Sequence, residues 1–187
     1  MADAIITRRG GGGTEITFNN FKAYYDTLIH STPTVLSIAR SGLSATNVGD
    51  YALFAGGYTW GDASYSNVVD AYDTSLTRTT PTSLSQSRSG LSATSVGDYA
   101  LFAGGEVNSS TRSNVVDAYT SSLVRSTPTV LSQSRNSLSA TSVGDYALFA
   151  GGYSGSRSNV VDAYDTSLTR TTPTKLSVAR YGLAGAS

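Results

Sequence analysis

The side chains that most often perform catalysis are scarce in this sequence. Its 187 residues include one histidine, His30, and no cysteine. No thiolate is therefore available as a nucleophile or zinc ligand, and one histidine cannot form a histidine metal cluster. No Ser/His/Asp set can be assembled around His30, and the glycine run at 10–13 lacks the lysine of a phosphate-binding loop. We expect no catalytic residues, no metal site and no cofactor.

Three aspartates recur directly after a glycine, at Asp50, Asp98 and Asp145. Because Gly-Asp pairs favour tight turns, three equivalent turns are the preferred interpretation. The alternative is that the three carboxylates bind a cation together.

Three variable segments carry the side chains best suited to binding a ligand. They read YTWGDASYS at 58–66, EVNSSTRS at 106–113 and YSGSRS at 153–158, between flanks that are almost copies of one another. Aromatic residues mixed with small polar ones are typical of recognition surfaces. The candidate ligand-binding residues are Tyr58, Trp60, Asp62, Tyr65, Glu106, Asn108, Arg112, Tyr153 and Arg157. The only tryptophan, Trp60, is the strongest candidate; the alternative is that these segments vary without selection.

A repeat about 47 residues long must position these segments. The four prolines, Pro33, Pro81, Pro128 and Pro173, are separated by 48, 47 and 45 residues. The same intervals separate Arg40, Arg88, Arg135 and Arg180. Periods of this length are typical of solenoids, propellers and other arrays.

Each repeat contains four segments with the composition of β-strands, which we call strands A to D. In the last repeat they are LSATSV at 138–143, YALFA at 146–150, NVVDAY at 159–164 and RTTPTKL at 170–176. They are short, rich in β-branched and aromatic residues, and separated by turn residues. Four short strands repeated radially form the blades of a β-propeller.

Strand C places an aspartate among apolar residues, at Asp70, Asp117 and Asp162. A buried carboxylate needs hydrogen-bond partners. We expect each one to accept a hydrogen bond from the backbone of a neighbouring blade or from an arginine. Pairing between blades with Arg88, Arg135 or Arg180 is an option that the spacing leaves open.

The repeated strands carry the marks of a known family. LFAGG ends strand B at 53–57, 101–105 and 148–152. VVDAYD ends strand C at 68–73 and 160–165, with VVDAYT at 115–120. These motifs resemble the kelch repeat in the Gly-Gly pair and in the Tyr-Asp pair that ends the third strand. The tryptophan that kelch repeats carry six residues after the tyrosine is replaced by Arg78, Arg125 or Arg170. The resemblance implies an all-β propeller of four-stranded antiparallel blades.

The repeat predicts that 1–187 is a single propeller domain. Complete blades are expected at 41–85, 89–132 and 136–177, and a composite blade at 1–37 plus 181–187. The composite blade takes strands B, C and D from the N-terminus and strand A from the C-terminus. This gives four blades per chain and no free sheet edge. The same latch acting in trans would give a strand-exchanged dimer of eight blades, and the sequence leaves both closures open.

The predicted function is that of a non-enzymatic binding module that recognises a protein or a glycan through the variable B–C loop face. Kelch-like propellers more often bind proteins, whereas aromatic side chains beside small polar ones also suit sugars. The alternative is a structural building block that assembles larger rings or part of a virion. The near-identical repeats and the leader MADAIITRRGGGG resemble proteins from bacterial phage or prophage tails.

Charge and hydropathy limit the expected partners. The 13 basic and 13 acidic residues cancel, so there is no basic excess to neutralise a nucleic acid. No segment approaches the roughly 18 apolar residues of a membrane span, and the N-terminus lacks the apolar stretch of a signal peptide. We expect no nucleic-acid or membrane partner, synthesis in the cytoplasm and, for the phage type, association with a virion. A monomer and a strand-exchanged homodimer are both compatible with the sequence.

Overall fold

The computed structural model describes residues 33–185. The chain divides into two compact units, Met1–Pro33 and Thr34–Ser187, and the second contains every strand described below. Most of the predicted composite blade at 1–37 plus 181–187 lies outside the described residues, as do His30 and the glycine run at 10–13.

Three antiparallel four-stranded sheets follow one another along the chain, and we call them blades 1, 2 and 3. Blade 1 has β1 (Ser44–Val48) and β2 (Tyr51–Ala55), then a separate two-stranded hairpin of β3 (Tyr58–Thr59) and β4 (Ser64–Tyr65), then β5 (Val69–Tyr72) and β6 (Arg78–Thr79). Blade 2 has β7 (Ser92–Val96), β8 (Tyr99–Ala103), β9 (Val116–Thr120) and β10 (Arg125–Ser126). Blade 3 has β11 (Ser139–Val143), β12 (Tyr146–Ala150), β13 (Val161–Asp165) and β14 (Arg170–Thr171).

Within each blade the strands pair in the order in which they occur in the chain, as in the meander of a propeller blade. The register is the same in all three blades: Phe54 lies opposite Asp70, Phe102 opposite Asp117 and Phe149 opposite Asp162. The prediction of an all-β chain of four-stranded antiparallel sheets is confirmed. No helix long and apolar enough to span a membrane occurs among residues 33–185.

Strand D is much shorter than the predicted 170–176, since β14 ends at Thr171. Pro173 has no N–H to donate to a sheet, and the chain beyond it turns back along the loops of its own blade. The backbone N–H of Leu176 donates to Asn159 O at 2.9 Å and that of Arg180 donates to Ser158 O at 2.9 Å. At 181–185, where strand A of the composite blade was predicted, no strand is present.

The core lies between the blades. One cluster joins Val48, Leu53 and Val69 of blade 1 to Phe102 and Tyr119 of blade 2. The equivalent cluster joins blades 2 and 3. Strands β1, β7 and β11 lie side by side, so the A strands of neighbouring blades are in contact. Each blade is therefore held mainly by apolar contact with its neighbours, as in other repeat proteins.

Buried ion pairs fix strand C of every blade. Asp117 lies within 2.6 Å of Arg88 and within 3.1 Å of Arg125, and it also accepts the backbone N–H of Ser85 at 2.9 Å. The same arrangement recurs at Asp70 and at Asp162. The strand-C aspartates thus have a backbone partner and an arginine partner, but the predicted pairing between blades is wrong, and Arg180 forms no such pair among residues 33–185. The buried arginine comes from the segment that leads into the same blade, so it connects the linker to that blade's own sheet.

Candidate functional site

The first B–C loop is a small hairpin with three aromatic rings. Tyr58 begins β3 and Tyr65 ends β4, and their rings meet edge to face with centroids 5.3 Å apart. Thr59 and Ser64 are joined by a hydroxyl–hydroxyl hydrogen bond of 2.8 Å across the hairpin. Paired strands and the edge-to-face ring contact order this loop, and a loop that is already ordered loses less entropy on binding a ligand.

Trp60 stands at the end of this hairpin with 79% of its surface exposed. Its ring meets Tyr58 edge to face at 5.2 Å, and its indole N–H donates to Ser41 Oγ at 3.1 Å. Asp62, in the adjoining turn, is also exposed. The structure therefore presents an indole that is oriented by its neighbours and uncovered by them. Aromatic residues held in this way are typical anchors of binding surfaces.

The second loop is organised by Asn108 and Glu106. The Asn108 side-chain oxygen accepts the backbone N–H groups of Ser110 and Thr111 at 3.0 and 2.9 Å, so this side chain builds its own turn. Glu106 accepts a hydrogen bond from the Tyr65 hydroxyl at 3.4 Å and one from the Asn136 amide at 2.9 Å. Burial and the Glu106 charge raise the pKa of Tyr65.

A row of contacts connects each loop to the next blade. Tyr65 of blade 1 reaches Glu106, as described, and the Arg112 guanidinium lies 4.8 Å from the centre of the Tyr153 ring. In the same way Arg157 lies 5.8 Å from the ring of Tyr181. Cation–π contacts of this kind are favourable at a surface. The structure therefore brings most of the predicted loop residues into contact with one another or with Tyr181. Four of them are exposed: Trp60, Asp62, Asn108 and Arg157.

Two residues outside the three variable loops also belong to this face. Tyr181 and Asn136 line a cleft of about 320 Å³ with Ser137 and Tyr153, and the rings of Tyr153 and Tyr181 lie 5.9 Å apart. Asn136 Oδ1 has no hydrogen-bond partner among the described residues. The sequence does mark these positions, because each directly follows one of the four arginines that recur at the repeat interval. The four residues there are Ser41, Ser89, Asn136 and Tyr181.

The three turn aspartates do not form a cation site with other acidic residues. Among residues 33–185 no group of three or more His, Asp or Glu side chains lies close enough together to hold a metal ion. Gly49, Gly97 and Gly144 in these turns all have positive φ, between 51° and 52°. This conformation suits Gly-Asp turns.

Comparison with known proteins supports the fold of this chain and shows no function for it. No protein-family model and no curated protein matches the chain. Among solved structures it is similar to YjhT, a kelch-like β-propeller protein, with a TM-score of 0.62 at 16% sequence identity. The similarity covers 74% of this chain and 46% of YjhT, so this chain spans just under half of that protein's length. The fold is therefore propeller-like.

Proposed function

We propose that the protein is a non-enzymatic binding module that recognises a protein or a glycan through its B–C loop face. The observation that carries the proposal is Trp60, an exposed indole held by Tyr58 and Ser41. Leaving a large apolar ring in water has a free-energy cost that binding recovers. An unselected loop has no need to order such a ring.

The chemistry of the same face suits both ligand classes. The indole face can stack on the apolar face of a sugar ring, and Asp62 beside it can accept hydrogen bonds from hydroxyl groups. For a protein ligand, the indole would be a central anchor with Glu106 and Arg112 as polar surroundings. Kelch-like propellers more often bind proteins, so a protein ligand is the first to test. We treat the kelch resemblance itself as part of this proposal.

The proposed absence of catalysis rests on the full sequence, which has one histidine and no cysteine. Its test is a screen of hydrolase substrates with and without divalent cations. We expect no turnover above background. Turnover that disappears on substitution of a loop residue such as Asp62 would contradict the proposal.

The decisive experiment is to replace Trp60 by Ala and probe glycan and protein arrays. We expect loss of signal by about tenfold or more, since an aromatic anchor contributes roughly 2 kcal/mol or more. The melting temperature should stay unchanged, because the side chain is exposed. Asp145→Ala, in a turn between strands A and B, is the matched control and should bind like the wild type. Equal array profiles for Trp60→Ala and wild type would exclude a binding role for this loop.

A second candidate function is that of a structural building block, as in the phage or prophage tail proteins that the sequence resembles. It is favoured by the exposure of blade 3, where Val143 is 61% exposed although its equivalents Val48 and Val96 are 3% exposed. Such a block would be a virion component. The sequence offers two ring closures, four blades within one chain or eight blades in a strand-exchanged dimer, and both use residues 1–37. Light scattering separates them, because the first gives a particle of 19.4 kDa.

A further inference from the structure

The two interblade clusters within the chain have the same two halves. One blade contributes the side chains of one face, such as Val48 and Leu53, and two leucines of the linker that follows, Leu84 and Leu91. The next blade contributes an alanine and a phenylalanine of its strand B, Ala100 and Phe102. Between blades 2 and 3 the equivalent residues are Val96, Leu101, Leu131, Leu138, Ala147 and Phe149.

Blade 3 offers the first half of a third cluster without its complement. Val143 is 61% exposed and Leu148 is only partly buried, whereas Val48, Val96, Leu53 and Leu101 are all buried. Tyr146 at the start of β12 is exposed as well. This face is continuous with the two interblade interfaces and uses the same residue types, so the partner that fits it is another blade.

Blade 1 offers the second half. Ala52 is exposed and Phe54 partly exposed, although their equivalents in blades 2 and 3 are fully buried. The segment leading into blade 1, residues 34–43, we call the head segment. Its leucines Leu36 and Leu43 are half-buried, whereas Leu84 and Leu91 of the next linker are buried. Blade 1 and its head segment therefore lack a preceding blade among the described residues.

The place that a head segment would occupy on blade 3 is held by residues 174–183, which we call the tail segment. The tail segment repeats the head sequence except at Lys175, Val178 and Tyr181. The tail segment makes the hydrogen bonds that other linkers make to the blade before them: Leu176 N–H to Asn159 O matches Leu84 N–H to Asn67 O, at 2.9 and 2.8 Å.

The tail segment, however, lacks the ion pair that the arginine of the other linkers makes. The side chain of Arg180 is exposed and donates only to Val178 O among the described residues, whereas Arg40 in the head segment is paired with Asp70 at 2.8 Å. The tail segment thus fills half of a junction, and the head segment holds the other half.

We propose that two copies of this chain form a closed dimer in which blade 1 of each packs on blade 3 of the other. The head segment of one copy displaces the tail segment of its partner from blade 3. The head segment replaces the backbone hydrogen bonds that blade 3 loses with the tail segment, because the two segments have nearly the same sequence. The dimer additionally buries Val143 and Leu148 against Ala52 and Phe54 of the second copy, so burial of apolar surface favours it.

The expected assembly is a ring of six blades with twofold symmetry. The similarity to YjhT covers 46% of that protein, so two copies of the matched part of this chain span nearly its full length, and the three described blades of each copy give six. The head-to-tail contact closes after two copies. This inference names the partner for the second candidate function and rests on the interblade clusters, to which Trp60 does not belong.

The first test is sedimentation of the full-length chain over a range of concentrations. We expect reversible association to a particle of twice 19.4 kDa. Val143→Asp should weaken the dimer about a hundredfold or more, because it places a charge in an apolar interface. Val124→Asp is the matched control: Val124 is 62% exposed and lies beside β10, outside the cluster. A chain that stays monomeric, or equal weakening by both variants, would overturn the proposal.

A second test separates this dimer from the two closures that use the tail as a strand. Leu176→Asp with Leu183→Asp in the full-length chain should loosen the tail segment from blade 3 and so favour the head segment of the second copy. We expect dimerisation to strengthen by about tenfold, with near-ultraviolet circular dichroism unchanged. Val178→Asp, exposed on the same segment, should have no effect. Dissociation or loss of folding in the double variant would show that the tail closes the ring, and the proposal would be wrong.

Discussion

Two arginines and one aspartate form the electrostatic centre of each blade. Arg88 and Asp117 are fully buried, and Arg125 is partly exposed on the other side of the carboxylate. Burial lowers the pKa of Arg88, while the Asp117 charge opposes that change. A buried pair of this kind is costly to break, because the remaining charge is left without a partner.

Asp117→Ala should therefore lower the free energy of unfolding by about 3–5 kcal/mol. The control is Arg125→Ala, which removes a charge that solvent already reaches and should cost about 1 kcal/mol or less. Urea denaturation of the two variants measures both values. Equal losses would contradict the assignment, because the backbone carbonyls of Phe102 and Val115 would then suffice to hold Arg88.

Two tyrosines at the ends of the C strands make stability sensitive to alkaline pH. Burial, reinforced by Asp117 and Asp162, raises the pKa of Tyr119 and Tyr164 well above the ordinary value of about 10. Both donate their hydroxyl hydrogens to backbone carbonyls, Tyr119 to Thr82 O and Tyr164 to Thr129 O at 2.8 Å. In the folded protein they stay neutral at a pH where the unfolded chain ionises.

The sign of the pH dependence follows from these pKa values. The contribution of the two tyrosines is fully present below the unfolded pKa of about 10 and is lost as the pH rises toward the higher folded pKa. Thermal unfolding between pH 8 and about 11 should show this loss. Tyr119→Phe should lower the free energy of unfolding by about 1 kcal/mol at neutral pH. It should also reduce the loss of stability at alkaline pH. Tyr146→Phe, at an exposed site, is the control; an unchanged decline in Tyr119→Phe would contradict the assignment.

The Gly-Gly pair that ends strand B lets the linker pass close to the sheet. Gly104 has a φ of +70°, and a Cβ there would lie 2.6 Å from Arg135 O. Gly105 N–H donates to that same carbonyl at 3.0 Å. The two glycines that end strand B are thus required by the approach of two backbones, which only a residue without a side chain permits.

Gly104→Ala should destabilise the protein by about 2–4 kcal/mol, from the strained backbone and the contact with Arg135 O. Gly61→Ala is the control, because nothing lies within 4 Å of a Cβ at that loop position. Differential scanning calorimetry would report the contrast. Equal melting temperatures for the two variants would show that the linker can move away from the added methyl group without loss of stability.

Most of each blade could be predicted from the sequence, because the strand motifs are repeated and punctuated by glycine. The predicted 146–150 coincides with β12, and 138–143 differs from β11 by one residue. Strand D was predicted too long because the apolar Leu176 suggests a strand, while its backbone bonds to a loop. The hairpin of β3 and β4 was missed, since it occurs in one loop only and no repeat signals it.

The B–C loop face could be predicted as a set of loops but not as a surface. Variable length and composition singled out the three loops. Spacing in the sequence says nothing of side-chain direction, so it did not reveal that Asn108 turns back on its own loop or that Arg112 lies over Tyr153. The pairing of Arg88 with Asp117 was one of several options for the same reason.

The middle blade is the only one of the three described blades with both faces covered. We expect the amide hydrogens of β8 and β9 to exchange more slowly than those of β2 and β12, because opening of blade 2 requires the loss of two clusters. Hydrogen exchange on dilute Val143→Asp protein measures this order without interference from association. Slower exchange in blade 1 or blade 3 would show that their outer faces are covered within one chain.

The placement of the ion pairs has a genetic consequence. Arg88, Asp117 and Arg125 all fall within one repeat, and the backbone donor Ser85 stands just before it. A DNA segment that encodes one repeat therefore carries both signs of the charge that its blade buries. Duplication or deletion of such a segment adds or removes a whole blade and leaves no unpaired charge in the core. The chain can gain or lose blades by such copying, and its nearly identical repeats agree with that route.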